Sequence, residues 1–311
     1  MTTVLITGGS GRLGRSVVAG FAAAGHTVIS LDRDSLPADP ALAAVIQESV
    51  DLLDAEAVNQ VMARHLPDAV IHLAAIAVPF SAPEDVILKT NTMLAYNVFH
   101  AATSNGVRRV VTASSPTVLG YGNPSGWLPD SFPLDEKTTP KPWNAYALSK
   151  LVAEQVMRMF AAASGEVTRY AAFRPCYVIS PEEWEGAPTQ QGHTLAERLA
   201  DPALSAPALF NYVDARDVAD FLALLLEKMD SIENAQVFFV GAADALAIEP
   251  LDKLMPDFLP GSETLAAGLT GTSPAFSIAK AQEVLGWTPQ RSWRTELTDT
   301  NTAGLRSAAA L

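Results

Sequence analysis

Two stretches of this sequence have residue types and spacing that point to chemistry: Tyr146-Ala147-Leu148-Ser149-Lys150, and the closely spaced glycines of Thr7-Gly8-Gly9-Ser10-Gly11-Arg12-Leu13-Gly14. A phenol in water titrates near pH 10 (roughly), so a tyrosine that exchanges protons at neutral pH needs a positive charge beside it. Positions i and i+4 share a helix face, so Lys150 can supply that charge. Alone, such a pair is a common feature of solvated helix faces. The glycines change its weight. They lie between the apolar run Val4-Leu5-Ile6 and a helical stretch, where glycine permits a tight turn, close approach of the backbone to a pyrophosphate, and packing of the helix on the sheet. The N–H groups of the first helical turn, here Arg12, Leu13 and Gly14, then face the anion. A dinucleotide site together with an acid/base tyrosine points to redox chemistry.

Asp32 closes the next β-rich run about 20 residues on, where a carboxylate binds the adenosine ribose hydroxyls and repels a 2′-phosphate, so NAD is expected rather than NADP. Arg33 beside it reads two ways, as a group that accommodates such a phosphate or as a solvated charge. Asp51-Leu52, after Val50, has the position of a third-strand end against the adenine edge. A solvated loop aspartate fits Asp51 equally well. Between the two motifs, Val110-Val111-Thr112-Ala113-Ser114-Ser115-Pro116 reads as a strand ending in two hydroxyls, and ligands bind at the carboxyl ends of parallel strands. Side chains alternate along a strand, so only one of Ser114 and Ser115 faces a substrate. Both as simple turn serines is the bland alternative.

Elements must position these residues. Short β-rich runs at Val4-Leu5-Ile6, 27–31, 69–73 and 110–113 alternate with Ala-rich helical stretches at 11–24, 55–64, 83–104 and 146–163. Further strands are expected at 168–173 and 237–240, the latter after a helix at 215–229. That alternation predicts an α/β fold with a doubly wound parallel sheet. After Arg174-Pro175, the prolines at 181, 188, 202 and 207 break the chain into loops and short helices. The expected organisation is a dinucleotide-binding domain over 1–178, completed by 208–241, with a smaller substrate lobe over 179–311. The Ala-rich end at 307–311 is expected to lack order.

Composition excludes several classes. With 311 residues, 49% of them apolar, the chain can bury a sizeable core. Its formal charge of −13 opposes nucleic acid and anionic membrane surfaces. A small-molecule partner is expected instead. A single cysteine, Cys176, allows no internal disulfide, and Met1-Thr2-Thr3 leads straight into a strand without room for a signal peptide, so a cytoplasmic location is expected. No apolar stretch is long enough to span a bilayer. The five histidines, at 26, 65, 72, 100 and 193, show no metal-ligand spacing, and no metal is expected. His72, on a buried strand, reads as a core histidine. Trp184, Trp287 and Trp293 read as packing in the smaller lobe.

In the order of their motifs these residues resemble the extended short-chain dehydrogenase/reductases, the group that contains NAD-dependent sugar epimerases, dehydratases and dehydrogenases on a Rossmann fold. Thr7 to Gly14 resembles that family's T-G-x-x-G-x-x-G, and Ile71-His72-Leu73-Ala74-Ala75 its H-x-A-A segment. Asn91 matches the asparagine of the following helix. The stretch from Ala113 to Gly120 resembles the family's S-S-x-x-V-Y-G, and Tyr146 with Lys150 its Y-x-x-x-K. Tyr212 to Ala219, and Ala279 to Pro289, resemble two C-terminal signatures. The resemblance implies Ser115, Tyr146 and Lys150 as catalytic residues. It further implies that Leu73, Ala74, Ala75, Asn91 and Ala113 line the cofactor, and that the protein is a homodimer packed through 83–104 and 146–163.

The sequence departs from the nucleotide-sugar members where substrate is held. Cys176 or Tyr177 stands where an asparagine is usual, and Ala208-Leu209-Phe210-Asn211 lacks their arginine. The variable segment 180–207 holds one arginine, Arg198, against four glutamates, although Arg291 and Arg294 remain available. A diphosphate needs cationic or amide donors. The expected activity is therefore an NAD-dependent oxidoreductase acting on a secondary alcohol or carbonyl of a sugar or sugar acid. An epimerase or dehydratase without net redox change is the alternative. A non-catalytic NAD sensor is a second alternative, disfavoured because both Tyr146 and Lys150 are present.

Overall fold

The computed structural model describes residues 2–297, so the 307–311 segment lies outside the described residues. The chain divides into two compact units. The first comprises Met1–Val118, Pro140–Arg174 and Ala219–Phe238, and the second Leu119–Thr139, Pro175–Val218 and the described part of Phe239–Leu311.

The first unit is built on β1 (Thr3–Thr7), α1 (Arg12–Ala23), β2 (Thr27–Asp32), β3 (Ile46–Ser49), α2 (Ala55–His65), β4 (Ala69–His72), α3 (Glu84–Ser104), β5 (Arg109–Ala113), α4 (Ala145–Ser164) and β6 (Arg169–Pro175). Two short strands follow, β7 (Val178–Ile179) and β8 (Val213–Asp214), and then α7 (Ala215–Lys228) and β9 (Gln236–Val240), with α5 (Pro181–Trp184) and α6 (Leu195–Ala200) lying between β7 and β8. The main sheet runs in the order β3-β2-β1-β4-β5-β6-β9. Its pairings from β3 across to β6 are parallel. Strand order reverses between β1 and β4, the switch point where ligands bind in such sheets.

Leu5, Val70, Val110 and Tyr170 of the sheet share a core with Val98 and Phe99 of α3 and Met157 and Phe160 of α4. α4 starts at a defined residue because the Asn144 side chain caps it, accepting from the Ala147 N–H at 2.9 Å. The Ala145 N–H donates to Glu84 at the start of α3 (2.7 Å). The second unit has its own core, in which Ile179, Trp184, Leu195, Leu199, Tyr212, Leu246 and Trp293 are packed together. No helix among the described residues is long and apolar enough to cross a membrane.

Candidate active site

The glycine loop joins β1 to α1 and has no room for a side chain at Gly8 or Gly14. A Cβ at Gly14 would stand 2.0 Å from the Gly8 carbonyl oxygen, and one at Gly8 would stand 2.7 Å from the Ala74 nitrogen. Gly8 also has φ of +71°, which disfavours other residues. The loop is thus pressed against Leu73 and Ala74, which follow β4. At the end of β2, the two oxygens of Asp32 accept from the Ser10 N–H (3.0 Å) and the Arg33 N–H (2.7 Å). This fixes the carboxylate beside the loop with lone pairs to spare for a diol. Such a cradle, closed to a Cβ at Gly8 and Gly14 and ending in a held carboxylate, fits an NAD pyrophosphate and adenosine ribose. Arg33 is exposed, and Asp51 is an exposed turn residue that accepts from the Leu53 N–H (2.9 Å), while Leu52 is buried. Asn91 accepts from the Ile76 N–H (2.8 Å) and donates to the Ile76 carbonyl (3.2 Å) and Ser149 (3.0 Å). It therefore ties the segment after Ala75 to α4.

His72 and Thr7, paired in register across β4 and β1, share a hydrogen bond of 2.8 Å between Nδ1 and Oγ1. Burial, helped by the charge of Lys150, holds the imidazole pKa down at about 3. At neutral pH His72 is an uncharged partner of Thr7, as expected of a core histidine.

Ser115, Tyr146 and Lys150 converge at the end of β5. The Ser115 hydroxyl lies near enough to the Tyr146 phenol to favour its ionised form. The Ser115 hydroxyl also accepts from the Thr117 hydroxyl (2.9 Å). Lys150 donates to the Ala113 carbonyl (3.0 Å), and its Nζ lies 5.9 Å from the centre of the Tyr146 ring. All three are buried. Ser114 points elsewhere, giving its hydroxyl to Glu154 at 2.6 Å, and Glu154 in turn pairs with Arg174 through bonds of 2.8 and 3.0 Å. Strand alternation explains the division: adjacent serines face opposite ways.

The electrostatics differ in one respect from the sequence expectation that Lys150 lowers the phenol pKa. Burial raises the pKa of Tyr146 above its ordinary value, with the Ser115 hydroxyl opposing, and burial pulls Lys150 down to about 8. Desolvation disfavours both charged forms, and it outweighs a cation whose proton is directed at a carbonyl.

Sequence reasoning passed over Glu154 and Arg174. Glu154 falls four residues beyond Lys150 on the same helical face, and that spacing was the available signal. In the second unit, Trp184 and Trp293 are packed with their indole N–H groups bonded to Asp214 (2.7 Å) and the Ala245 carbonyl (2.8 Å). The arginines expected to be available there are engaged, Arg291 with Asp217 (2.5 Å) and Arg294 with Asp244 (3.1 Å).

A doubly wound sheet with a glycine cradle at its switch point defines a dinucleotide-dependent class, and comparison with known proteins narrows it. The model of the NAD-dependent epimerase/dehydratase family matches residues 4–241. The chain belongs to that family; it is an enzyme of this type, and its cofactor is NAD. Among its relatives is a UDP-glucose 4-epimerase of Azospirillum brasilense, 34% identical over 170 residues, 52% of this chain but only 45% of that protein. A uronate dehydrogenase of Agrobacterium fabrum is 30% identical over 209 residues, covering 67% of this chain and 74% of that one. A UDP-glucose 4-epimerase from Brucella ovis, solved in complex with NAD, has the same fold, with a TM-score of 0.73 at 20% identity and 98% of each chain covered.

Proposed function

We propose that the protein is an NAD-dependent dehydrogenase that oxidises a secondary alcohol of a sugar or sugar acid, or reduces the corresponding carbonyl. The observation that carries this reading is that Ser115, Tyr146 and Lys150 are buried together, with Lys150 one turn along α4 from Tyr146 and its Nζ bonded to the Ala113 carbonyl at the end of β5. Bound NAD supplies the hydride acceptor. The protein's own residues manage the proton. Tyr146 takes it from the substrate hydroxyl, Ser115 orients that oxygen, and Lys150 holds the cofactor ribose and stabilises the phenolate as it forms. Gly8, Gly11 and Gly14, with the first-turn amides of Arg12 and Leu13, cradle the pyrophosphate. Asp32 takes the adenosine ribose, and Asn91 acts by fixing the loop that carries Ala74 and Ala75.

Two observations favour a free sugar or sugar acid over a nucleotide-sugar. Arg216, Arg291 and Arg294 of the second unit are each paired with carboxylates, and a uronate dehydrogenase is among the relatives. The epimerase relatives support a second reading, in which the hydride is returned to the opposite face of a ketone intermediate. NADH absorbance during incubation with NAD and a panel of sugars, sugar acids and nucleotide-sugars separates the two. Net NADH formation that nearly stops in Tyr146→Phe, with NAD binding retained, supports the dehydrogenase. Product without NADH refutes it. The apolar side chains of Val86, Met93 and Tyr96 on α3 and Leu148 and Met159 on α4 are exposed, and a homodimer that covers them is part of this proposal. Sedimentation at a monomer mass would reject it.

A further inference from the structure

The segment between β4 and α3 carries an aromatic side chain where a turn favours glycine. Val78-Pro79-Phe80-Ser81 closes with the Ser81 N–H donating to the Val78 carbonyl (3.4 Å) and the Ser81 hydroxyl donating to the same oxygen (2.8 Å), and Phe80, at the third position, has φ of +62°. Glycine or asparagine normally fills such a place, because a bulky side chain is strained there. Burial offsets little of that strain, since Phe80 is 60% exposed. Its ring centre lies 5.6 Å from that of Trp143, with the two planes inclined at 39°. Both ends of the segment are fastened to α4 beside Tyr146, Ile76 through Asn91 to Ser149, and Glu84 to the Ala145 N–H. Trp143 precedes Tyr146 by three residues. The two rings are therefore carried by the segment that leaves the glycine cradle at Ala74 and by the start of the helix that holds Tyr146, all within the first unit. Strained residues persist where their surroundings over-determine them, and they cluster at ligand clamps.

We propose that Phe80 and Trp143 form a stacking platform for the pyranose ring of the substrate. This rests on the reading of the substrate as a sugar or sugar acid, and it names the contact that holds the ring. One face of a pyranose presents C–H groups and little oxygen, so it lies flat on an aromatic ring while its hydroxyls project from the rim toward polar partners. Aromatic side chains supply that contact area with little loss of conformational freedom. Covering the exposed Phe80 ring also removes apolar surface from water, which the free protein leaves undone.

The test is calorimetry on the NAD-loaded protein with D-glucuronate, D-galacturonate, D-glucose and UMP, in the unmodified chain and in Phe80→Gly, Phe80→Tyr and Trp143→Ala. Glycine accepts the positive φ, so Phe80→Gly should fold at least as well as the parent in thermal unfolding. At least one of the three sugars should bind the unmodified protein. Its affinity should fall about threefold to tenfold in Phe80→Gly and in Trp143→Ala and stay within about twofold of the parent in Phe80→Tyr, with NAD affinity unchanged in Phe80→Gly. Sugar binding should also shift the tryptophan emission, and Trp143→Phe should remove most of that shift. Sugar affinity that survives both ring deletions overturns the platform, as does UMP binding that depends on the two rings, a loss of NAD affinity in Phe80→Gly, or no sugar binding to the unmodified protein. The platform and the dehydrogenase reading fail separately. Binding that is kept in Tyr146→Phe and weakened in Phe80→Gly upholds the platform even if no sugar yields NADH, whereas NADH formation with an unchanged sugar KM in Phe80→Gly refutes the platform and leaves the dehydrogenase standing.

Discussion

Lys150 should make the protein less stable at the pH where it makes it active. Its ammonium is buried, and burial lowers its pKa from 10.5 to about 8. Below pH 8 the lysine is protonated in both folded and unfolded chains, so the full cost of burying the charge is present. A shift of about 2.5 units corresponds to about 3 kcal/mol. As pH rises from about 8 to about 10.5, the folded chain has released its proton and the unfolded chain has not, so stability climbs with pH across that window. Lys150→Met removes the charge and keeps most of the aliphatic stem. It also leaves the Ala113 carbonyl without its donor, a loss of about 1 kcal/mol. The net expectation at pH 7 is a gain of about 2 kcal/mol, or a Tm rise of about 4–8 °C if the first unit unfolds as one body. At pH 10 the gain should shrink to nothing or change sign, because less than about 1 kcal/mol of the charge penalty remains against the lost hydrogen bond. Urea and thermal unfolding of the cofactor-free protein, followed by circular dichroism at both pH values, measure this. A variant that is less stable than the parent at pH 7, or whose difference from it is the same at pH 7 and pH 10, would refute the reasoning.

His72 has a pH signature of the same sign in a lower window. Free histidine titrates near pH 6.5 (roughly) whereas buried His72 is held at about 3, so its contribution is fully present above pH 6.5 and lost as pH falls toward 3, by up to about 1.4 kcal/mol per pH unit. His72→Gln should flatten the acid limb of a stability–pH profile between pH 7 and pH 4; an unchanged slope counts against it. The two serines should separate stability from turnover. Ser114→Ala strips a donor from buried Glu154 and should cost about 1–3 kcal/mol while lowering turnover less than Ser115→Ala, which should lose turnover with the fold intact. Steady-state rates and denaturant midpoints showing the reverse ranking would contradict the assignment.

The glycine cradle, Asp32 and the Tyr146–Lys150 pair were legible because each is a short-range pattern: fixed spacing on one turn or one helix face dictates the geometry. Five of the main strands beyond β1 were equally legible as apolar runs. β3 was seen only as a strand end near Val50, because this sheet-edge strand, Ile46–Ser49, is largely solvent-exposed and carries Gln47 and Glu48. A sequence also does not show which arginines are already spent: Arg291 and Arg294 read as available cations until Asp217 and Asp244 appear beside them. The direction of the Tyr146 shift escaped for a related reason, since desolvation is a property of everything packed around a group.

The bond from Ser114 to Glu154, and from Glu154 to Arg174 at the end of β6, works like a key in a shaft. Tyr146, Lys150 and Glu154 form one stripe along α4, and the last of them is locked to two strands at once. With side chains included, a helix has a radius of about 6 Å. An unlocked roll of about 20° would carry the tip of a side chain through about 2 Å, and misplacements of about 1 Å can slow a reaction about a hundredfold. A charge pair with fixed directions does not slide. The stripe that exchanges the proton therefore carries its own angular reference, and loops elsewhere in the chain can vary with the substrate while the aim of Tyr146 stays set.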